Sequence, residues 1–203
     1  MYIPDPFLET DMERILALVE AHPFAMLVTA PDGEPFVSHL PLLLQHGDGK
    51  LHLLGHMARA NPQWRHFEAG REALAVFQGP HAYVSPSWYG SPGVPTWNYA
   101  AVHLRGKPRL IEDDAELASL LDAMTRVHEA ALPEPWQEDM TTERRARLFG
   151  MIVGFEIAIT DIQAKFKLSQ NRPEQDRKRV ATALARSGNE TEAALARLME
   201  ERA

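Results

Sequence analysis

Through most of the chain, apolar residues either alternate with polar ones or run unbroken for a few positions, and both patterns predict strands. Phe24 to Ala30 reads as a buried strand and Pro31, Asp32, Gly33 and Glu34 as a hairpin turn. Pro35 to Leu44 follows as a second strand with Ser38 and His39 in its middle. A turn at Gly47, Asp48 and Gly49 leads to a third strand, Lys50 to Gly55. Further strands are predicted over Ala73 to Gln78, Ala82 to Ser85, Trp97 to Ile111 with a bend near Gly106 and Pro108, and Met151 to Ile159.

Helical spacing is confined to intervals between strands and to the tail. Thr10 with Glu13 makes a capping-box start for a helix bearing Ile15, Leu16, Leu18 and Val19. Asn61 is a good cap and Pro62 suits a first helical position, with Trp64 and Phe67 on the apolar side. Asp113 or Asp114 caps a helix in which Leu117, Leu120, Leu121, Met124 and Val127 recur, and Thr142 to Phe149 reads as a short helix. In the tail Asn171, with Pro173, Glu174 and Asp176, opens one helix. Gly188 ends it, and Asn189 with Glu192 opens another. Six or so strands joined mostly by hairpins fit an antiparallel barrel better than a parallel βαβ sheet.

Between the strand-like runs before Pro86 and after Thr96 lies a connector rich in proline and glycine, which cannot continue as a helix. Tyr83, Trp88, Tyr89, Trp97 and Tyr99 surround it, five of the chain's eight Trp and Tyr residues, four of each type. Rings at that density suit a planar ligand or an intersubunit contact, and equally an aromatic core corner.

Composition narrows the chemistry. With 203 residues and 45% hydrophobic content one main core is expected. The formal charge of −7 argues against a broad phosphate-backbone-binding surface. Without cysteine there are no disulfides, thiolate nucleophiles or Cys-ligated metals. No signal-like start and no apolar run of spanning length is seen, so neither secretion nor a membrane is expected, and the cytoplasm is the default location. The nine histidines form neither HExxH nor HxH, so no metal site is expected. GxGxxG, the phosphate-loop motif and GxSxG are absent, and no catalytic residue stands out.

Two stretches could hold an anion. In GHMARANPQW, His56 sits at a strand end and Arg59 just before a capped helix, where free N–H groups and a guanidinium fork converge; a surface arginine beside a routine cap is the alternative. In KFKLSQNRPEQDR, Lys165, Lys167, Ser169 and Gln170 could close over an anionic or heteroaromatic ligand while Asn171 caps the next helix.

MYIPDPF at the start, GHMARANPQW, AYVSPSWY followed by VPTWNYAAVHLRG, and KLSQNRPEQDR near the end occur in this order, and on them the chain resembles the PaiB family over its full length. That family comprises flavin-binding split-barrel proteins known as negative transcriptional regulators. The resemblance implies a mainly β fold with flanking helices: an antiparallel, Greek-key-like, FMN-binding split β-barrel over residues 1–170 and a helical C-terminal tail over 171–203. It also implies a homodimer with flavin where the subunits meet. Carried onto this sequence, it makes His56, Arg59 and Asn61 candidates for the FMN phosphate end, and Ser38, His39 and Leu40 for the isoalloxazine edge. Trp97, Asn98 and Tyr99 would come from the dimer-facing stretch, with Lys167, Ser169 and Gln170 completing the pocket. Two functions follow. One is a regulator with flavin as prosthetic group or redox sensor; the other is a flavin-dependent oxidoreductase acting on an unidentified small molecule, with Tyr83 or His39 as proton donors. DNA binding by the regulator would rest on Arg172, Arg177, Lys178, Arg179 and Arg186, among which Glu174 and Asp176 are interspersed.

Overall fold

The protein is described here by a computed structural model covering residues 1–47 and 49–201, without the side chain of Ala69. The turn expected at Gly47, Asp48 and Gly49 includes Asp48, which lies outside the described residues. Among the described residues eight strands form one sheet: β1 (Leu8–Glu9), β2 (Phe24–Thr29), β3 (Phe36–Pro41), β4 (Leu43–Gly47), β5 (Lys50–Ala58), β6 (Ala73–Val84), β7 (Thr96–Ile111) and β8 (Ile152–Lys167). Their order is β3-β2-β6-β7-β8-β5-β4, with β1 beside β8. The pairs β1–β8, β2–β3, β2–β6, β4–β5 and β5–β8 are antiparallel. The helices are α1 (Met12–Ala21), α2 (Asp114–Glu129), α3 (Thr142–Phe149), α4 (Glu174–Ala185) and α5 (Glu190–Glu200). None among the described residues is long and apolar enough to cross a membrane.

The chain divides into two compact units. The first comprises Met1–His22, Phe77–His103 and Gln163–Ala203, the second Pro23–Val76 and Leu104–Ile162. In the first unit α1 lays Ile15, Leu18 and Val19 inward, and Leu18 packs directly on Gly79 of β6, where an added Cβ would meet its Cδ1 at 2.8 Å. Phe77, Val102, Phe166, Val180, Leu184 and Leu195 complete that core. In the second unit Leu54, Ile111, Leu117, Leu120 and Met124 form one cluster that fixes α2, while Phe67 meets Phe155 edge-on at 5.3 Å. Gly106 lets β7 approach β8 closely: a Cβ there would stand 2.1 Å from the carbonyl oxygen of Ala158.

Several predicted boundaries move, each for a visible reason. Asp11, not Thr10, caps α1 by accepting from the Glu13 amide, while Glu9 takes the amides of Thr10 and Asp11. The strand expected over Pro35 to Leu44 breaks at Leu42, whose amide turns to the carbonyl of Pro23 at 2.9 Å. The helix after Asn61 is a 3-10 helix, Pro62–Ala69. β6 runs unbroken through Gly79 and Pro80, and β8 continues past Ile159 to Lys167, so Lys165 and Lys167 lie on a strand. Asn171 does not cap α4; Pro173 occupies that position, and its carbonyl accepts from the amides of Asp176 and Arg177. A short 3-10 turn, Pro86–Trp88, interrupts the proline-rich connector.

Candidate functional site

The candidates fall into two sets, one in each unit. In the second unit the end of β5 delivers His56 and then Arg59. Its pairing with β8 sets Ala58 opposite Ile152, and just beyond, the Arg59 amide donates to the carbonyl of Met151 at 2.8 Å. The guanidinium follows the same path: Nε donates to the carbonyl of Gly150 at 2.8 Å and Nη2 to that of Ile152 at 2.9 Å. Nη1 lies outside those bonds. Asn61 joins the junction to β3, because its Oδ1 accepts from the Gln63 amide at 3.0 Å while its Nδ2 donates to Ser38 Oγ at 2.8 Å. Both ends of Asn61 are thereby engaged, and its role in the arrangement is to position Ser38.

The alternation of β3 separates its three candidates. Ser38 and Leu40 are half-buried on one face, whereas His39 is exposed on the other and stacks on Phe24 at 6.1 Å. His56 is half-buried, and burial pushes its imidazole below the usual value near 6.5. Its Nδ1 is buried and, among the described residues, has no hydrogen-bond partner.

The residue that sequence reasoning passed over here is Gln63. It is fully buried, and its Nε2 lies within donating distance of the carbonyls of Leu27 (2.9 Å) and Phe36 (3.2 Å) and of Thr29 Oγ1 (3.1 Å). It ties β2 and β3 to the turn that presents Arg59. A polar residue two places after a helix cap carries no signal that it points inward.

In the first unit, Trp97 and Tyr99 project from one face of β7 and Asn98 from the other, as a two-residue period requires. Trp97 is 54% exposed and meets Tyr83 edge-on at 6.2 Å, with the His81 ring tilted against it at 6.4 Å. The Lys165 ammonium stands 5.3 Å from the centre of the Tyr99 ring and 5.5 Å from that of Tyr2, a cation over two π faces. Lys167 donates to Thr96 Oγ1 at 2.6 Å and to the carbonyl of Trp97. Burial, and then the like charge of Lys165, pushes the Lys167 ammonium down from its ordinary value.

Asn98, Ser169 and Gln170 are turned to internal work. Asn98 is fully buried and exchanges hydrogen bonds with Ser169 Oγ at 2.8 and 3.2 Å. Ser169 is held at φ 64°, a strained conformation for a residue with a side chain. Gln170 spans that turn, accepting from the Leu168 amide at 2.6 Å and donating to the carbonyl of Phe166.

The connector before Thr96 is tied to α4. Asp176, 3% exposed, accepts from the Gly90 amide at 2.6 Å and from the Ser91 hydroxyl, and these donors hold its carboxyl below the usual carboxylate range. Arg172 lies 4.5 Å over the Tyr89 ring and donates to the carbonyl of Pro92 at 3.0 Å. Lys178 pairs with Glu174 at 2.5 Å. Two members of the expected basic cluster are therefore already partnered. Among the described residues no group of three or more metal-ligating side chains is gathered.

Solved structures share this architecture. The flavocytochrome Anf3 of Azotobacter vinelandii aligns at a TM-score of 0.64 and 19% identity, covering 84% of this chain and 74% of that one. An FAD and heme binding protein of Mycobacterium smegmatis aligns at 0.61 and 20% identity, covering 83% and 77%. The fold is thus the antiparallel split barrel of flavin-binding proteins, with flanking helices. At the level of sequence, residues 1–161 match the family described as "Putative FMN-binding domain". The Bacillus subtilis (strain 168) "Protease synthase and sporulation protein PAI 2" is 44% identical over 204 aligned positions, covering 100% of this chain and 98% of that protein. An uncharacterized protein of Emericella nidulans is 30% identical, covering 100% of this chain and 97% of its own length. The chain belongs to the PaiB family of FMN-binding domains.

FMN is the cofactor of that family, and the donor set fits it. An unpartnered buried imidazole nitrogen at His56, a guanidinium nitrogen of Arg59 outside its two carbonyl bonds and the hydroxyl of Ser38 suit a phosphate monoester. The exposed rings of Trp97 and Tyr83 suit a flat heterocycle.

Proposed function

We propose that the protein works as a homodimer holding FMN where two subunits meet, and that it is a regulator in which the flavin serves as prosthetic group or redox sensor. The observation that carries the reading is the face formed by Trp97, Tyr83, Tyr99 and Lys165. It keeps Trp97 and Tyr83 largely open to solvent within one subunit, at 54% and 45%, although each offers a large apolar ring. A flavin ring and a second subunit would cover them. When bound, FMN supplies one- or two-electron redox chemistry. The chain's own residues bind and orient it: His56, Arg59 and Ser38 toward the phosphate, Leu40 on the same face of β3 along the ring, and Trp97 and Tyr99 across the subunit boundary; His39, on the opposite face of β3 against Phe24, stands away from that ring. Asn61, Asn98, Ser169, Gln170 and Lys167 hold those groups in position.

The regulatory role draws on the relative named for protease synthesis and sporulation. Action through a protein partner fits better than direct reading of DNA, since Arg172 stacks on Tyr89 and Lys178 pairs with Glu174. The test begins with reconstitution. Purified chain mixed with FMN should retain one flavin per chain and sediment as a dimer, and Trp97→Ala should weaken both. A monomer that retains no flavin would overturn the reading. With flavin bound, rapid bleaching by NADH or NADPH followed by turnover with an acceptor would move the assignment to an oxidoreductase. Promoter DNA shifted by the dimer in a salt-dependent way would restore direct DNA binding.

A further inference from the structure

In the second unit, α2, the 130–141 connector, α3 and the start of β8 surround a cavity of about 890 Å³. That is the size of a pocket for a small organic ligand, about 300 to 1,000 Å³. Leu121, Trp136, Met140, Leu148, Phe149 and Met151 supply its apolar walls. Trp136 is 50% and Met151 61% exposed, so large apolar side chains converge on one concavity instead of scattering over the surface.

The charged groups at its rim largely answer one another. Arg145 lies over the Phe149 ring at 5.2 Å and reaches Asp122 at 3.1 Å and Glu138 at 3.5 Å. Glu129 accepts from the Trp136 amide at 2.7 Å, which ties the connector to the end of α2, and Arg126 stands three residues before Glu129 on the same helix. No surplus of positive charge awaits an anion. Apolar walls that include the Trp136 and Phe149 rings, with Arg145 answered by Asp122 and Glu138, suit an uncharged aromatic molecule.

The cavity also shares its wall with the flavin-binding candidate. Ala58, Met151 and Ile152 line it, and the carbonyls of residues 150–152 are those that hold the Arg59 side chain and amide. Displacing Met151 or Ile152 from the cavity side therefore moves the acceptors that aim Arg59.

We propose that this cavity is a binding site for an uncharged, flat aromatic molecule, and that its occupancy changes FMN affinity through the 150–152 turn. The coupling rests on the reading that Arg59 holds the flavin phosphate; the binding site does not. The experiment titrates the full chain, with and without FMN, with N-phenyl-1-naphthylamine, an uncharged probe that fluoresces in apolar surroundings. Saturable binding of one probe per chain is expected, weakened at least tenfold in Ala130→Trp, which fills the cavity, and in Leu148→Glu, which puts a charge in its wall. Circular dichroism checks that each variant is folded. Non-saturable binding, or unchanged binding in both folded variants, would overturn the site. With the probe saturating, the Kd for FMN should change by about 5- to 150-fold, and FMN should change the probe's Kd by the same factor. Equal Kd values with and without probe would overturn the coupling, and displacement of probe by FMN one for one would overturn a separate site. A chain that binds probe but never FMN leaves the cavity standing and removes the flavin reading.

Discussion

Arg59 has two jobs that different substitutions should separate. Its Nε and Nη2 anchor the 150–152 turn through bonds of 2.8 and 2.9 Å, and its charge and remaining nitrogen are available to a phosphate. A hydrogen bond to a charged group contributes about 1.5 to 3 kcal/mol when shielded, and exposure of this guanidinium reduces the two anchoring bonds together to about 1 to 2 kcal/mol. In a chain of this size that corresponds to about 2 to 8 °C in Tm. The phosphate contact is formed only with flavin present, and its loss at about 1.5 to 3 kcal/mol weakens FMN binding about ten- to 150-fold. Arg59→Ala should show both effects. Arg59→Lys keeps the charge without the planar fork, so it should melt nearly as low as the Ala variant yet retain most of the flavin affinity. Thermal melts of the apo-protein and FMN titrations followed by quenching of flavin fluorescence measure the two quantities separately. Should the Ala variant bind FMN as tightly as the parent while melting lower, Arg59 would be an anchor of the turn and nothing more.

Other outcomes follow from the same geometry. Gln63→Leu leaves the carbonyls of Leu27 and Phe36 without their shared side-chain donor; urea unfolding should show a loss of about 2 to 4 kcal/mol, and a change below about 0.5 kcal/mol would refute the tie. The His56 imidazole resists protonation in the folded state, so the unfolded chain binds the extra proton as pH falls through 6.5 toward the lower folded value. Stability should fall across that window and level off below it, with His22, also depressed by burial, acting in the same sense. His56→Gln should flatten the melting profile over that range, and an unaltered slope would exclude His56 as a source. Asn98→Ala strands Ser169 in a buried site and should cost about 1 to 3 kcal/mol in chemical denaturation; full stability with lost flavin binding would instead make Asn98 a direct ligand.

The sheet was legible where burial is one-sided. Along β7, Asn98, Ala100, Val102 and Leu104 are buried while their neighbours are not, and that alternation marks the strand in the sequence. The end of β8 was illegible because Thr160, Asp161 and Gln163 break the apolar pattern although pairing continues, leaving Lys165 to register with Leu8. For the candidate site residues the sequence offers types and leaves directions to the strand period. Trp97, Asn98 and Tyr99 are consecutive, and the strand period alone forbids all three from facing one ligand; that signal was available. Gln63 was hidden for a different reason. Its inward course depends on the 3-10 winding of Pro62–Ala69, which shifts side chains from where an α-helix would place them. Asn171 reads as a cap by composition, yet Pro173, at φ −52° and ψ 148°, already has the non-helical ψ that a cap position needs.

The division of the chain among the two units bears on the order in which a ribosome can complete them. The second unit draws on Pro23–Val76 and Leu104–Ile162, so all of its segments have been synthesised once Ile162 has cleared the exit tunnel. The first unit joins Met1–His22 to Phe77–His103 and to Gln163–Ala203, and α1 waits for that third segment before its neighbours are complete. Domains form as units during synthesis as soon as their segments are available. A stalled or prematurely terminated chain would therefore present a finished Arg59 turn on one unit while leaving the Trp97 face of the other without Ser169, Lys165 and the Asp176 tie.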